Sequence, residues 1–564
     1  MSLTDRLTKG VATALSAAGL PLAADYAWDV PRQAEHGDYA TNAAMTLARA
    51  AKRAPRQIAE AIVKHFPPMP EVERLEVAGP GFVNVFLAPG WVAQSLREIL
   101  AAGERYGRGD ELAAQRIRLE FVSANPTGPL VIVNARAAAI GDSLARLLRA
   151  RGARVVTEFY VNDAGNQFDA LARSFEARVR EAVGEAVTFP DKGYPGEYLI
   201  DMAGEYLREH DIADAPALQR HLAGLASSGG ASPTEQLGRW AVARMLEGQR
   251  RVLADYGVSF DVWTSEQHDV RDRGLADKML DELTARGLAY EQDGALWFRS
   301  TQASEEVADD KDRVLRRTSG GATYFAVDVA YHEYVKFADA DRLINLLGPD
   351  HHGYVARMRA AMQALGHSTE AFEVLIVQLV TLLRDGQPVR MSKRRGEFVL
   401  MEELLEEVGR DAARFTFLTR RHDSPLEFDL AVATRQSSDN PVYYVQYAHA
   451  RIRSIARQAA EQGLAAAGDL ADVEVLTDPE EQALIKRLLH YPEVVRGSAR
   501  ALEPHRIAFW LQDLAGAFHP YYKSHRVIQD DRRLTRARLA LCAAVGRVIA
   551  NGLDLLGVEA PETM

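Results

Sequence analysis

Three short segments concentrate side chains able to bind phosphate, ribose or cations. The first is Glu120-Phe-Val-Ser-Ala-Asn125-Pro126-Thr-Gly128-Pro129, where a β-prone run over 117–123 enters a Gly/Pro loop and then a helical run over 135–150. At such a turn in a parallel sheet the helix N-terminus favours phosphate; the same residues also read as a tight connection and nothing more. The second is Arg390-Met391-Ser392-Lys393-Arg394-Arg395-Gly396, which together with Arg384 sets five cations against the single Asp385. A short basic loop neutralises polyphosphate charge as it develops, although a solvated charged turn has the same composition. The third is Gly348-Pro349-Asp350-His351-His352-Gly353-Tyr354, after the β-prone run 343–347. Asp350 at a strand end suits ribose hydroxyls. The two histidines have the chemistry of metal ligands, but no carboxylate or third histidine stands at the usual spacing, so no metal site is expected.

These segments need a parallel α/β scaffold. The order of a strand over 117–123, a helix over 135–150 ending at Gly152, and a strand over 155–161 predicts a βαβ unit with a right-handed crossover. Further strand signals stand at 296–298, 322–326, 342–347 and 372–376, and a mostly helical insertion occupies about 170–250. Before this unit, 1–108 predicts a small α+β domain: helices near 2–18, 40–50 and 55–65, then strands 74–78 and 82–87 about the turn Gly79-Pro80-Gly81. Tyr106 to Asp110 reads as a linker. The sequence then divides into 109–385, a connective stretch 386–438 holding the basic loop, and 439–564. The last part has no strand signal and predicts a helical bundle. The N-terminal apolar run after Lys9 has some character of a leader, but Leu3, Leu7, Val11 and Leu15 share one helical face and favour an ordinary helix.

The chain has 564 residues, ample for several domains. Its 67 Lys and Arg against 78 Asp and Glu give a net charge of −11. That excludes a histone-like protein but not a nucleic-acid partner, which depends on local basic surfaces. One cysteine, Cys542, points to a reducing, cytoplasmic compartment. No apolar run approaches bilayer-spanning length, so no membrane partner is expected.

Together the three segments resemble a class I aminoacyl-tRNA synthetase, and the arginyl-tRNA synthetase family in particular. The resemblance runs through His36 to Asn42, Val77 to Phe82, Tyr160 to Asn166, Phe260 to Trp263, Lys311 to Leu315, Tyr324 to Asp328, Met391 to Arg394 and Asp439 to Tyr447. It implies a Rossmann-type catalytic domain, an N-terminal domain reaching the tRNA elbow and a C-terminal anticodon-binding bundle. The implied reaction joins arginine and ATP as arginyl-adenylate, then passes arginine to the 3′-terminal adenosine of tRNA(Arg). Mg2+ accompanies ATP without a dedicated protein site, and the chain is expected to be a monomer. The resemblance assigns arginine to Glu120, Asn125, Tyr324, Asp328 and His352. It assigns ATP to Pro126, Gly128, Asn134, Gly348, Asp350, His351, Met391 and Lys393, with Lys393, Ser392 and Asn134 in catalysis. Tyr39 and Asn42 would meet the elbow, and Tyr443, Tyr447, Arg451 and Arg526 the anticodon.

One departure stands out. The family's His-x-Gly-His signature should follow Pro129-Leu130, yet the chain reads Val131-Ile132-Val133-Asn134. Two donors to phosphate are lost, Asn134 keeps an amide, and Val133 fills the space a glycine leaves for the nucleotide. The implied function is arginine–tRNA ligase; the alternative is a synthetase-like protein that binds tRNA or arginine without forming adenylate.

Overall fold

The computed structural model describes residues 2–22, 26–31, 33–227, 230–302, 311–389, 399–465 and 470–564. At its centre lies a five-stranded, all-parallel sheet. In space its order is Phe372–Ile376, Arg342–Leu347, Arg116–Glu120, Arg154–Val161, Val262–Ser265. The first strand in sequence is thus central, and later strands add to either side, which is the doubly wound arrangement expected from the βαβ pattern. Its crossover helix, Ile132–Ala150, packs so closely that a Cβ on Gly141 would lie 2.2 Å from the Phe121 ring. The insertion is helical as expected: Gly165–Ala182, Glu197–Glu209, Ala215–Ser227 and Pro233–Asp255.

One strand expectation is wrong. The run 322–326 enters the helix Tyr324–Tyr331, capped by Thr323, whose hydroxyl accepts from the Ala326 N–H at 3.4 Å. A short apolar run with aromatic and β-branched residues satisfies either period, and tertiary burial decides. Here Phe325, Ala326, Val327, Val329, Ala330 and Tyr331 are all buried, more than one strand face would cover.

The N-terminal part is an antiparallel four-stranded sheet, ordered Trp28–Asp29, Tyr39–Thr41, Phe82–Leu87, Val72–Ala78, with helices against it. Helix Leu3–Ala17 buries Leu3, Leu7, Val11 and Leu15 as its spacing predicts. Tyr106 to Asp110 is not a free tether. Tyr106 stacks on Tyr491 at 6.1 Å and donates to the Leu488 carbonyl, while the Gly109 N–H bonds the Ala150 carbonyl.

The C-terminal bundle comprises Pro441–Glu461, Pro479–Ala501, His505–Ser524 and Arg532–Leu556. By length and composition the last helix could cross a bilayer, a property hidden in the sequence by interrupting arginines. In the fold 72% of its apolar window is buried. Cys542 lies on this helix, and burial pushes its thiol up to about 12.

Arg414 fastens this bundle to the parallel sheet. Fully buried, it pairs with Asp142 on the crossover helix and donates to the Tyr256 and Leu556 carbonyls, at 3.2 and 3.0 Å. Removing one partner of a buried pair leaves the other charge uncompensated. Arg414→Met is therefore expected to lower unfolding free energy by about 3–5 kcal/mol, measured by denaturant titration, while Arg453→Ala, at an exposed pair with Glu562, changes it by less than about 1 kcal/mol.

Candidate active site

In a doubly wound sheet, ligands bind beyond the strand ends where the strand order reverses. That point lies between Arg116–Glu120 and Arg342–Leu347, and the first and third sequence segments both leave the sheet there. The backbone turns sharply after Glu120. Val122 and Ser123 take φ of +68° and +39°. The left-handed region disfavours a β-branched residue, and each such residue costs about 1–3 kcal/mol. Contacts hold the turn: Ser123 Oγ donates to Glu120 Oε1 at 2.8 Å and accepts from the Tyr160 N–H at 3.1 Å.

Glu120 is 6% exposed, and its other oxygen pairs with the buried Lys336 ammonium. In the same row of the sheet, Glu158 is gripped by both ends of the Arg118 guanidinium at 2.8 and 3.0 Å. Burial pushes Glu158 up, but Lys336 and Arg118 together bring it below the ordinary carboxylate range. Glu266, just past Val262–Ser265, accepts from Arg271 and, at 3.0 Å, from the Tyr160 hydroxyl.

Asp328 differs from these. Among the described residues its carboxylate has no hydrogen-bond partner. Burial, then Glu266 and Glu120, push it up to about 8, against the opposing pull of Lys336 and Arg357. The same enclosure, with Asp328 and Glu120 close by, pushes the Tyr354 phenol well above its ordinary range. The site is thus a cluster of four carboxylates, of which three have cationic partners and the fourth has none among the described residues. A single cation bearing several donors satisfies it, and a planar guanidinium fits best.

Helix formation over 324–331 assembles this site. Tyr324 and Asp328 are four residues apart, which is about 6 Å on a helix and about 13 Å on a strand. Tyr324 is 42% exposed, and its hydroxyl accepts from the Asn166 N–H at 3.4 Å.

The loop between strand and helix is supported from the insertion. The Gln249 amide donates to the Asn125 and Gly128 carbonyls at 3.3 and 3.0 Å, and the Tyr198 hydroxyl donates to the Thr127 carbonyl. Asn125 itself is exposed and Pro126 buried. In the altered signature Asn134 turns back, its Oδ1 accepting from the Val131 N–H at 2.9 Å. Val131 bridges Leu400, the Ile132 N–H bonds the Val399 carbonyl, and the Met401 N–H bonds the Leu130 carbonyl. The signature is therefore stitched to the chain just after the basic loop. Arg136, fully buried, donates to the Gln378, Leu379, Arg421 and Ser424 carbonyls and clasps the flanking segments to the same helix.

Gly348 follows the strand Arg342–Leu347, and Asp350 and His351 stand exposed on a single 3-10 turn before helix His352–Leu365. The His352 side chain, and Met391, Ser392 and Lys393 entirely, lie outside the described residues.

Away from the sheet, Tyr443 stacks on Tyr447 at 5.7 Å, and Arg451 lies over the Tyr447 and Tyr522 rings at 4.4 and 4.7 Å. A cleft of about 350 Å3 opens beside them, lined in part by Arg457, Gln458 and Met564. Arg526 is exposed, but much of the basic run around it has internal partners: Arg533 and Arg536 with Asp472, Arg538 with Glu481. Tyr39 is 3% exposed and packs edge-on against His490 of the bundle, so its ring lies in the seam between the N-terminal part and the bundle. Asn42 is half-buried at the start of Ala43–Ala51, its Oδ1 accepting from the Ala27 N–H at 3.2 Å.

The sequence reading quoted Tyr160 and Tyr354 within its segments without giving them a role, and did not single out Glu266, His332, Lys336 or Asn345. No local pattern marks Lys336 or Asn345 above Asp339, Asp341 and Arg342, the other polar residues between Tyr334 and Leu347.

Three family models together match most of the chain: "Arginyl tRNA synthetase N terminal domain" over residues 5–87, "tRNA synthetases class I (R), catalytic domain" over 95–429 and "DALR anticodon binding domain" over 445–564. A protein of Symbiobacterium thermophilum named arginine–tRNA ligase is 47% identical over 566 residues, covering 100% of this chain and 98% of its own length. A protein of the same name from Desulfosudis oleivorans is 47% identical over 555 residues, covering 98% and 96%. Among solved structures, the arginyl-tRNA synthetase of Thermus thermophilus aligns over 100% of both chains with a TM-score of 0.77 at 24% identity, a likeness of fold. With a carboxylate pocket at the switch point and matches of this extent, the chain belongs to the arginyl-tRNA synthetase family.

Proposed function

We propose that the chain is an arginine–tRNA ligase acting in the cytoplasm as a monomer. The observation that carries this reading is the carboxylate cluster at the sheet switch point with one member, Asp328, left without a paired cation among the described residues. The arginine guanidinium supplies that partner. Glu266 and Glu120 each retain lone pairs for its remaining N–H groups, and Asn125 and Tyr324 bind the amino-acid end or the rim of the guanidinium.

Arginine's carboxylate oxygen then attacks the α-phosphorus of ATP, the bond to pyrophosphate breaks, and arginyl-adenylate forms. A hydroxyl of the tRNA 3′-terminal adenosine next attacks the acyl carbon and releases AMP. Pro126, Gly128 and Gly348 line the nucleotide with backbone, Asp350 meets the ribose, and His351 and His352 lie near it. Lys393, with Met391 and Ser392 in the same loop, stabilises the departing pyrophosphate, which carries Mg2+ with it. Asn134 keeps its amide N–H2 for phosphate while its oxygen caps the helix. For tRNA(Arg), the stacked Tyr443 and Tyr447, with Arg451 and the exposed Arg526, suit unstacked anticodon bases, and Asn42 the elbow.

Two measurements test this. Asp328 is protonated below about 8 in the free pocket, and the guanidinium selects its ionised form, so affinity is lost as pH falls. Arginine Kd is expected to rise close to tenfold for each unit below about pH 8, and Asp328→Asn to bind weakly with no such slope. The second is arginine-dependent ATP–pyrophosphate exchange with cognate tRNA present. The native chain is expected to exchange. Val131→His/Val133→Gly/Asn134→His, which restores two donors, is expected to run faster by about 10²–10³ per donor regained. Exchange by the triple variant alone would leave the native chain as a binder of arginine or tRNA.

A further inference from the structure

Behind the pocket, the helix carrying Asp328 runs into a π-helical turn, His332–Lys336, which points both end residues at the sheet. Such turns recur at functional sites. Strand register places Asn345 beside Glu120 and Glu120 beside Glu158, so three polar side chains form one row. The Lys336 ammonium, 0% exposed, donates to Glu120 Oε2 and, at 2.8 Å, to Asn345 Oδ1. The Asn345 amide N–H2 lies 2.9 Å from His332 Nε2. That nitrogen must accept, so the proton sits on Nδ1, which donates to the Asp328 carbonyl at 2.7 Å. Burial and then Lys336 hold His332 well below its ordinary range, as a neutral ring requires.

A continuous line of hydrogen bonds thus runs from the carboxylate of Glu120 to the backbone that carries Asp328. Stability is a poor reason to bury this ion pair, because apolar replacements of similar size are often neutral or better. Its location between two substrate carboxylates suggests another role. We propose that Lys336, with Asn345 and His332, is a positioning device for arginine: it compensates Glu120, fixes the spacing of Glu120 from Asp328, and leaves the pocket one negative charge for one guanidinium. This rests on the ligase reading above. Glu120 and Lys336 are also faced by Glu158 from the neighbouring strand, by Tyr331 and Asp328 from the preceding helix, and by Tyr160 and Tyr354; Arg118, on Glu120's own strand, acts through Glu158, and Glu266 and Arg357 act on Asp328.

The test is calorimetric titration of the full chain with L-arginine between pH 6.5 and 9, in two buffers of different ionisation heat. The native chain is expected to release close to one proton per arginine at neutral pH. Lys336→Met leaves Glu120 to share the enclosed charge. It is expected to bind about tenfold or more weakly at pH 7, to release close to two protons, and to regain affinity as pH rises. Lys336→Met/Glu120→Gln is expected to release one proton again. Asn345→Leu cuts the line without changing charge, so arginine Kd should rise severalfold while proton release and the KM for ATP stay native. Native Kd and proton release in Lys336→Met would overturn the proposal. If that variant does not fold, native arginine affinity in Asn345→Leu overturns it instead. Failure of the unmodified chain to bind arginine would sink the ligase reading, a separate result.

Discussion

The fold has to bury negative charge at the end of a parallel sheet, and the compensation of that charge organises the centre of the molecule. Glu120, at the end of its strand, stands beside Glu158 in the middle of the next, and Glu266 lies just past the end of the third. In a medium of low polarity each would be costly unless paired and hydrogen-bonded. Lys336, Arg118 and Arg271 provide the partners, and each comes from a different element. The π-turn after the Asp328 helix, the central strand and the turn after Val262–Ser265 are therefore fixed relative to one another by charge as well as by packing. Asp328 is the exception: among the described residues it has no paired cation, and burial with Glu266 and Glu120 pushes its carboxyl up to about 8.

A second set of buried cations plays a different part. Arg136 and Arg414 both lie at the crossover helix, and both spend most of their donors on backbone carbonyls. Each reaches segments far away in sequence: Arg136 those flanking the basic loop, Arg414 the end of the last helix of the bundle. Because a carbonyl offers no net charge, burial and the lack of a close carboxylate push Arg136 down to about 10, with Asp423 opposing. Arg414 has Asp142. The helix that begins at the altered signature is thus the hub joining the nucleotide loops to the bundle, and a guanidinium does this better than an ammonium because its five N–H groups fan out in a plane.

The sequence made the scaffold legible where period and punctuation agree. The helices at 2–18 and 55–65, the hairpin about Gly79 to Gly81 and the βαβ unit all lie close to where their patterns place them. It failed at 322–326, where an apolar run fits either period, and that failure mattered, since the helix is what sets Asp328 near Glu120. Glu120 and Asp328 were readable only through resemblance. Lys336 and Asn345 were not readable at all, because their significance is a register match between strands and a turn that no local pattern encodes. Tyr39 illustrates the opposite case: a family position suggested an exposed contact, and packing against the bundle encloses it.

The altered signature separates two tasks that one loop usually performs together. Its backbone task is to start a helix and to brace the segment after the basic loop. Leu130, Val131, Ile132 and Asn134 do this completely: Val131 bridges Leu400, the Ile132 N–H bonds the Val399 carbonyl, the Leu130 carbonyl accepts from the Met401 N–H, and the Asn134 amide oxygen accepts from the Val131 N–H. β-branched residues favour the extended pairing on which that bridge depends. Its side-chain task is to present donors to phosphate, and there Val131 offers nothing and Asn134 offers one amide whose oxygen is already committed. Nothing in the surrounding packing opposes this exchange, since Gly141 still seats Phe121 and Arg136 still clasps its four carbonyls. Under the proposed function, substitution here acts on ATP and the rate of adenylate formation, and leaves the carboxylates around Asp328 organised by their own set of charges.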